Sequence, residues 1–344
     1  MTTYKIEKKR RIFEPELWGA NLIDGAISPT GQLIAVKEKC IISDDHKDNV
    51  FIYDLNGIFK FSFLDRQEWQ EGLSFLGDDY HIVIAGSNDT LRKYTLGEKG
   101  NFSHLHREEN ARSQIQLKAV SDYGNLLLYK NLDHLVCINT NLMGKIFEIK
   151  NTGISHAQFS PNDKYLGINS AEKNMVLSTK NGETLWESNG YNQQLFLCFS
   201  PDNKNFITSS YVGGKLEIWD TKTWTKASES QDDVKYNQFY IGAYSPDRKI
   251  FATGPANNGI IYLWNTSNFG IIGQAFSPHN TTVRKIKFTF DNNELITIGE
   301  KDIIVWQIHK EQTTTKNVEV HVQGNVNNSN LVIGDKNEVG SKSA

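Results

Sequence analysis

Cysteine is scarce in this chain of 344 residues: Cys40, Cys137 and Cys198 stand far apart, are odd in number and form no C-x-x-C pair. A disulfide frame is therefore not expected, and a reducing, cytoplasmic setting is. Strong charge is missing too. The net charge of −3 at pH 7 argues against a dedicated nucleic-acid binder, which carries a basic excess. No apolar run is long enough to span a bilayer, so no membrane association is expected. The start of the chain carries Lys8-Lys9-Arg10-Arg11 without an apolar stretch behind it, which argues against a secretory leader. Catalytic signatures are equally lacking: there is no G-x-S-x-G elbow, no phosphate-cradling G-x-x-x-x-G-K-[ST] and no strand-to-helix dinucleotide loop. No catalytic residue, metal ligand or cofactor is assigned.

What the chain does contain is a repeated phrase. Phe159-Ser160-Pro161-Asn162-Asp163 returns as Phe199-Ser200-Pro201-Asp202-Asn203 and Tyr244-Ser245-Pro246-Asp247-Arg248. Weaker copies are Ile27-Ser28-Pro29-Thr30-Gly31, Phe75-Leu76-Gly77-Asp78, Val120-Ser121-Asp122-Tyr123-Gly124 and Phe288-Thr289-Phe290-Asp291-Asn292. The interval of about 40 to 48 residues is that of four-strand propeller blades.

The residues 154–186 show how one copy makes a blade. Ile154 to Phe159 alternates as a short strand, and Ser-Pro-Asn-Asp turns it, because proline presets φ and Asn/Asp tolerate the bend. Tyr165-Leu166-Gly167-Ile168 is an apolar strand covered on both sides. Met175-Val176-Leu177-Ser178, a turn at Lys180-Asn181-Gly182, and the outer Thr184-Leu185-Trp186 complete it. Third strands recur at Val50–Asp54, Leu216–Asp220, Ile261–Asn265 and Ile303–Gln307, and outer strands start near Gly57, Gly144 and Gly270. The count is seven blades. The seventh has no outer strand, since the chain turns polar at Lys310-Glu311-Gln312-Thr313. The unassigned Tyr4–Glu7 and Ile12-Phe13 supply that strand from the other terminus and remove an open sheet edge. Lys8 to Arg11 then read as solvated charges on an outer strand.

At Trp219-Asp220, with Ser200-Pro201-Asp202 upstream, the chain resembles the WD40-repeat family over residues 1–310. The likeness is strong around Trp219, Trp264 and Trp306, whereas Tyr53 and Tyr94 take the tryptophan position in the first half. The resemblance implies a buried hydrogen-bonded set at His279, Thr297 and Trp306, with Glu300 replacing its acidic member, and packing in its place elsewhere. It also implies a rigid platform that binds other proteins on its faces.

Several clusters invite a sharper reading. His104-Leu105-His106 with Glu108-Glu109 places two imidazoles on one strand face, as for zinc; solvated surface is the expectation. Asp44-Asp45-His46-Lys47-Asp48 lacks the spacing of a calcium loop and reads as a hairpin loop. Trp18, Trp186, Trp224 and Glu68-Trp69-Gln70-Glu71 read as aromatic anchors for a partner, and Trp186 and Trp224, placed on outer strands, read equally as half-buried covers of blade edges.

Residues 311–317 read as a linker and 318–344 as a strand-forming or disordered interaction tail. Val318, Val320 and Val322 alternate with polar residues, and Leu331-Val332-Ile333 follows an Asn-rich break. An isolated hairpin is marginal in water, so Val320, Val322, Val326, Leu331 and Ile333 are candidate partner-binding residues. The Gly324-Asn325-Val326 and Ile333-Gly334-Asp335 pattern resembles a short terminal motif of bacterial, cyanobacterial-type conflict-system proteins. The expectation is thus an all-β, seven-bladed WD40-like propeller closed by an N-terminal strand, with a C-terminal hairpin or flexible tail. Its expected role is a non-enzymatic scaffold for protein partners, a protease or effector among them, in a bacterial signalling or antiphage pathway. The alternative is a propeller enzyme or small-ligand sensor using the central channel, with His104, His106 and Asp89 as candidate ligands.

Overall fold

The structure, a computed structural model, describes residues 2–13, 22–38, 50–63, 72–86, 90–97, 102–107, 115–150, 153–189, 194–210, 214–232, 234, 239–255, 260–275, 283–299 and 302–312. These form seven four-stranded antiparallel sheets arranged as a seven-bladed β-propeller. Blades 1 to 6 occupy residues 22–63, 73–107, 115–150, 154–189, 194–229 and 239–275, each running from an inner to an outer strand in chain order. Each of these blades is a meander, its strands pairing only with their sequence neighbours. The tail beyond Gln312 and its five candidate residues lie outside the described residues.

Blade 7 is built from both ends of the chain. Its inner strands are Lys285–Phe288, Glu294–Ile298 and Ile303–Gln312, and Thr2–Phe13 pairs antiparallel with the last of these. Ile6 stands opposite Ile308 and Lys8 opposite Trp306, so the closing strand is where the unassigned N-terminal pattern put it. Its partner strand continues to Gln312, two residues into the stretch read as a linker, because Thr2 and Thr3 pair with those residues. The basic run differs from its expected role as mere solvated charge. Lys9 and Arg10 both bond the Glu294 carboxylate, and Arg11 meets Asp302 at 3.2 Å; both acids are almost buried. The run therefore neutralises carboxylates within the last blade.

Between blades the core consists of small apolar clusters. Ile34 and Val36 of blade 1 pack with Ile296, Ile298, Ile303 and Val305 of blade 7 and close the circle. Close approach sets residue size: a Cβ on Gly167 would fall inside the Phe196 ring of the next blade. Trp219, Trp264 and Trp306 each donate their indole N–H to a threonine on the neighbouring strand, Thr208, Thr253 and Thr297, at 2.9, 2.8 and 2.8 Å. The Trp306–Thr297 pair was expected; the two matching pairs correct the expectation that packing alone serves the other blades. Tyr94, in the tryptophan position of blade 2, is buried and stacks on Phe63 at 4.7 Å.

Candidate functional site

The repeated phrase forms the turn between the first and second strands of each blade. In blade 4 the Ser160 hydroxyl donates to Asn162 Oδ1 at 2.8 Å and accepts the Tyr165 N–H at 2.9 Å. Ser200 with Asp202 and Asn205, Ser245 with Asp247 and Ile250, and Thr289 with Asp291 and Glu294 repeat both bonds. The fourth turn residue takes a positive φ: Asp163 59°, Asn203 60°, Arg248 61°, Asn292 62°, and glycine at Gly31 and Gly124. Asn and Asp accept this region more readily than other side chains, and glycine most readily of all. Blade 2 departs from the pattern. Leu76 replaces the serine, and Gly77 carries the positive φ instead.

Each inner turn touches the next, so the seven form a closed ring on one face. Thr30 of blade 1 bonds Asp79 of blade 2 through its N–H and its hydroxyl. A Cβ on Gly77 would strike the Tyr123 carbonyl of blade 3. Ser121 reaches Asp163 at 3.3 Å, the Asn162 N–H reaches Asn203 at 3.0 Å, and Arg248 reaches Asp202 at 3.4 Å. The Asp247 N–H reaches Asn292 at 2.9 Å, and Gly31 lies against Thr289 so closely that an added Cβ would meet its Cα at 3.4 Å. The turns between third and outer strands open on the same face, since both lie at the same end of an antiparallel meander.

This face is not uniform. Phe290 in blade 7, Ile58 and Phe59 in blade 1, Tyr80 in blade 2, and Tyr123, Leu142 and Met143 in blade 3 are all exposed there, Phe290 at 79% and Leu142 at 81%. No large hydrophobic side chain is exposed on the described turns of blades 4 to 6. The same turns of those blades carry Lys164, Lys180, Lys204, Lys222, Arg248 and Lys249, three of which, Lys164, Lys204 and Lys249, stand where blade 2 has Tyr80. Exposed large apolar side chains on this face are thus gathered on the turns of four adjacent blades.

The inner strands hold polar groups that pattern reading missed, because a period-two strand pattern does not distinguish a channel from solvent. Lys285 bonds Asp24 Oδ1 at 2.9 Å and the Gly25 carbonyl at 2.5 Å, and Lys287 bonds the Ser28 carbonyl at 2.9 Å, both from blade 7 to blade 1. Burial pushes the Lys287 amine below the usual lysine range. In blade 4, burial pushes His156 down to about 4, against a weaker opposing hydrogen bond with the Leu197 backbone. Its Nε2 and the Oε1 of Gln158 are sealed from solvent and without a partner.

The sequence candidates fare unevenly. His104 lies exposed on the outer strand Phe102–Arg107, with Leu105 buried beside it, and pairs in register with Arg92. Among the described residues no group of three or more His, Cys, Asp or Glu is placed to hold a metal. Trp186 and Trp224 are packing residues. Trp186 lies edge-on to Phe206 at 5.1 Å and Trp219 at 5.2 Å, and Trp224 edge-on to Tyr165 at 5.1 Å. Trp224 stands in the turn before its outer strand, not on the strand as expected. Burial pushes the Cys137 thiol up to about 12 and that of Cys198 higher still, which keeps both inert. Trp18, Cys40, Asp44 to Asp48, Glu68 to Glu71, Asp89, Glu108, Glu109, His279, Glu300 and the His106 side chain lie outside the described residues. Among the described residues no helix is long and apolar enough to cross a membrane. No family model and no curated protein matches the chain.

Proposed function

We propose that the protein is a non-enzymatic interaction scaffold, a WD40-like platform that holds a protein partner on its turn face. The observation that carries this reading is the apolar arc from Phe290 through Ile58 and Tyr80 to Met143, set on a rigid ring of interlocked turns. A surface fixed by neighbouring backbones loses little entropy on binding, which favours recognition over chemistry. The tail's resemblance to the terminal motif of bacterial conflict-system proteins gives the scaffold its context. It would sequester an effector or regulator in a signalling or antiphage pathway, a protease among the candidates, with Val320, Val322, Val326, Leu331 and Ile333 as a second docking strand. The likeness of Trp219-Asp220 and its upstream phrase to the WD40 repeat supports the same role. Affinity capture from native cell extract tests it, with the full chain and a chain ending at Gln312. A saturable partner retained by either supports the scaffold, and none retained by either removes its basis.

A channel sensor is the second reading, favoured by the unpartnered Nε2 of neutral His156 beside Gln158 on one inner strand. Metal analysis of the purified protein addresses it. Stoichiometric zinc lost in His156→Gln supports the sensor, and a metal-free protein counts against it.

A further inference from the structure

The apolar half of the turn face is also its acidic half. The inner turns of blades 7, 1, 2 and 3 contain Asp291, Asp78, Asp79 and Asp122 and no lysine or arginine. The inner turns of blades 4 to 6 set Asp163, Asp202 and Asp247 against Lys164, Lys204, Arg248 and Lys249. On the first half the carboxylates are held by neutral donors. Asp79 accepts from Thr30, and Asp291 accepts from Thr289 and from both the backbone N–H and the side-chain amide of Asn293. Asp78 caps its own turn and meets His81 at 2.7 Å. Lys287 stands behind them, half-buried, with its amine on the Ser28 carbonyl and within electrostatic reach of Asp79 and Asp122. Among the described residues the outer-turn cations on this half are occupied, Lys60 by Asp54 at 2.8 Å and Lys145 by Glu148 at 2.6 Å. What faces solvent is therefore aromatic rings and aliphatic side chains among carboxylates.

Resting on the scaffold reading, we infer that this half of the face docks a basic, apolar segment of a protein partner, one that interleaves Lys or Arg with Leu or Phe. The ring faces of Tyr80, Tyr123 and Phe290 attract a cation as well as an apolar side chain. The four carboxylates raise the encounter rate with a positive segment and reject an acidic one. Blades 4 to 6, where Asp163, Asp202 and Asp247 stand among Lys164, Lys204, Arg248 and Lys249, lack that excess of negative charge and offer the segment no such attraction.

Fluorescence anisotropy on the full-length protein tests this, with a labelled synthetic peptide of alternating lysine and leucine or phenylalanine as the probe. The wild type binds it, more weakly as salt rises. Tyr80→Ser/Tyr123→Ser/Phe290→Ser weakens binding about tenfold or more at an unchanged melting temperature, as loss of central anchors does. Asp122→Asn weakens it several-fold, and a glutamate-for-lysine peptide does not bind. Equal binding by wild type and triple variant overturns the inference, as does equal binding of the acidic peptide. So do two other occupants: a concentration-dependent dimer abolished by the triple variant, or a chain ending at Gln312 that binds the peptide about tenfold better than the full chain. If the triple variant still captures the partner found in extract, the scaffold stands and this surface falls.

Discussion

Leu132 and Arg248 take a positive φ in other turns, and in the turns before the outer strands three bulky residues occupy the same disfavoured backbone conformation. Met143, Trp224 and Phe269 have φ of 53°, 58° and 51° in the turns before the outer strands of blades 3, 5 and 6, where blades 1, 2 and 4 use Gly57, Gly97 and Gly182. A side chain in this region costs about 1 kcal/mol. Trp224 and Phe269 offset that strain by packing inward against Phe206 and Phe251. Met143 points outward and is 47% exposed, so nothing in the fold compensates it. Met143→Gly is expected to raise stability by about 0.5–1 kcal/mol in urea melts, while Trp224→Gly lowers it by about 3 kcal/mol. His156 supplies a second test at this scale. Its folded pKa of about 4 lies below the 6.5 of the unfolded chain, so its contribution is complete above pH 6.5 and is lost as pH falls towards 4. The loss is on the order of 3 kcal/mol. His156→Gln should flatten that part of the pH–stability curve, measured as the difference in urea midpoint between pH 7 and pH 4.5. An unchanged curve would mean the imidazole is solvated.

Among the elements, the closing strand sets the sharpest constraint. Thr2–Phe13 and its partner reach past the level of the other blades and fold over blade 6, where a Cβ on Gly273 would meet the Tyr4 carbonyl at 2.6 Å. Gly273→Ala must push two backbones apart, and a melting loss of several degrees is expected, equivalent to about 2 kcal/mol. Gly144→Ala, whose Cβ would meet its nearest neighbour at 3.9 Å, is the control and should leave melting unchanged. These elements were legible in the sequence because their turns need particular chemistry: a hydroxyl, an Asx residue and a left-handed position at fixed spacing. Blade 2 was legible only weakly, as Leu76 cannot make the hydroxyl bonds and Gly77 shifts the bend by two residues. The arc was not legible at all. Phe290, Tyr80 and Tyr123 sit at three different positions of the phrase, and only the ring contacts between turns bring them to one surface. Trp186 and Trp224 stayed open between anchor and edge cover for the converse reason, since a tryptophan near a blade edge looks alike in sequence whether its ring turns out or in.

At the scale of the whole molecule, the ring is closed by non-covalent pairing alone. Ile6 packs in one cluster with Ile250, Leu263, Leu295, Trp306 and Ile308, so the closing strand ties blade 7 to blade 6 as well as completing its own sheet. Lys285 and Lys287 make a second closure at the inner edge, from blade 7 to blade 1. A chain lacking residues 1–13 keeps the inner closure but exposes the long edge of Ile303–Gln312, whose buried residues include Ile304, Trp306 and Ile308. Uncovering that apolar strand costs on the order of 5 kcal/mol and offers an unpaired backbone to other chains. On size exclusion the full chain is therefore expected to elute as a monomer and the truncated chain as concentration-dependent oligomers. A synthetic peptide of residues 2–13 added in trans should restore the monomer, because register is set by Ile6 against Ile308 and not by the connection to blade 1. A truncated chain that stays monomeric and melts like the full chain would show that the inner lysine contacts close the ring unaided, with Thr2–Phe13 an accessory to them.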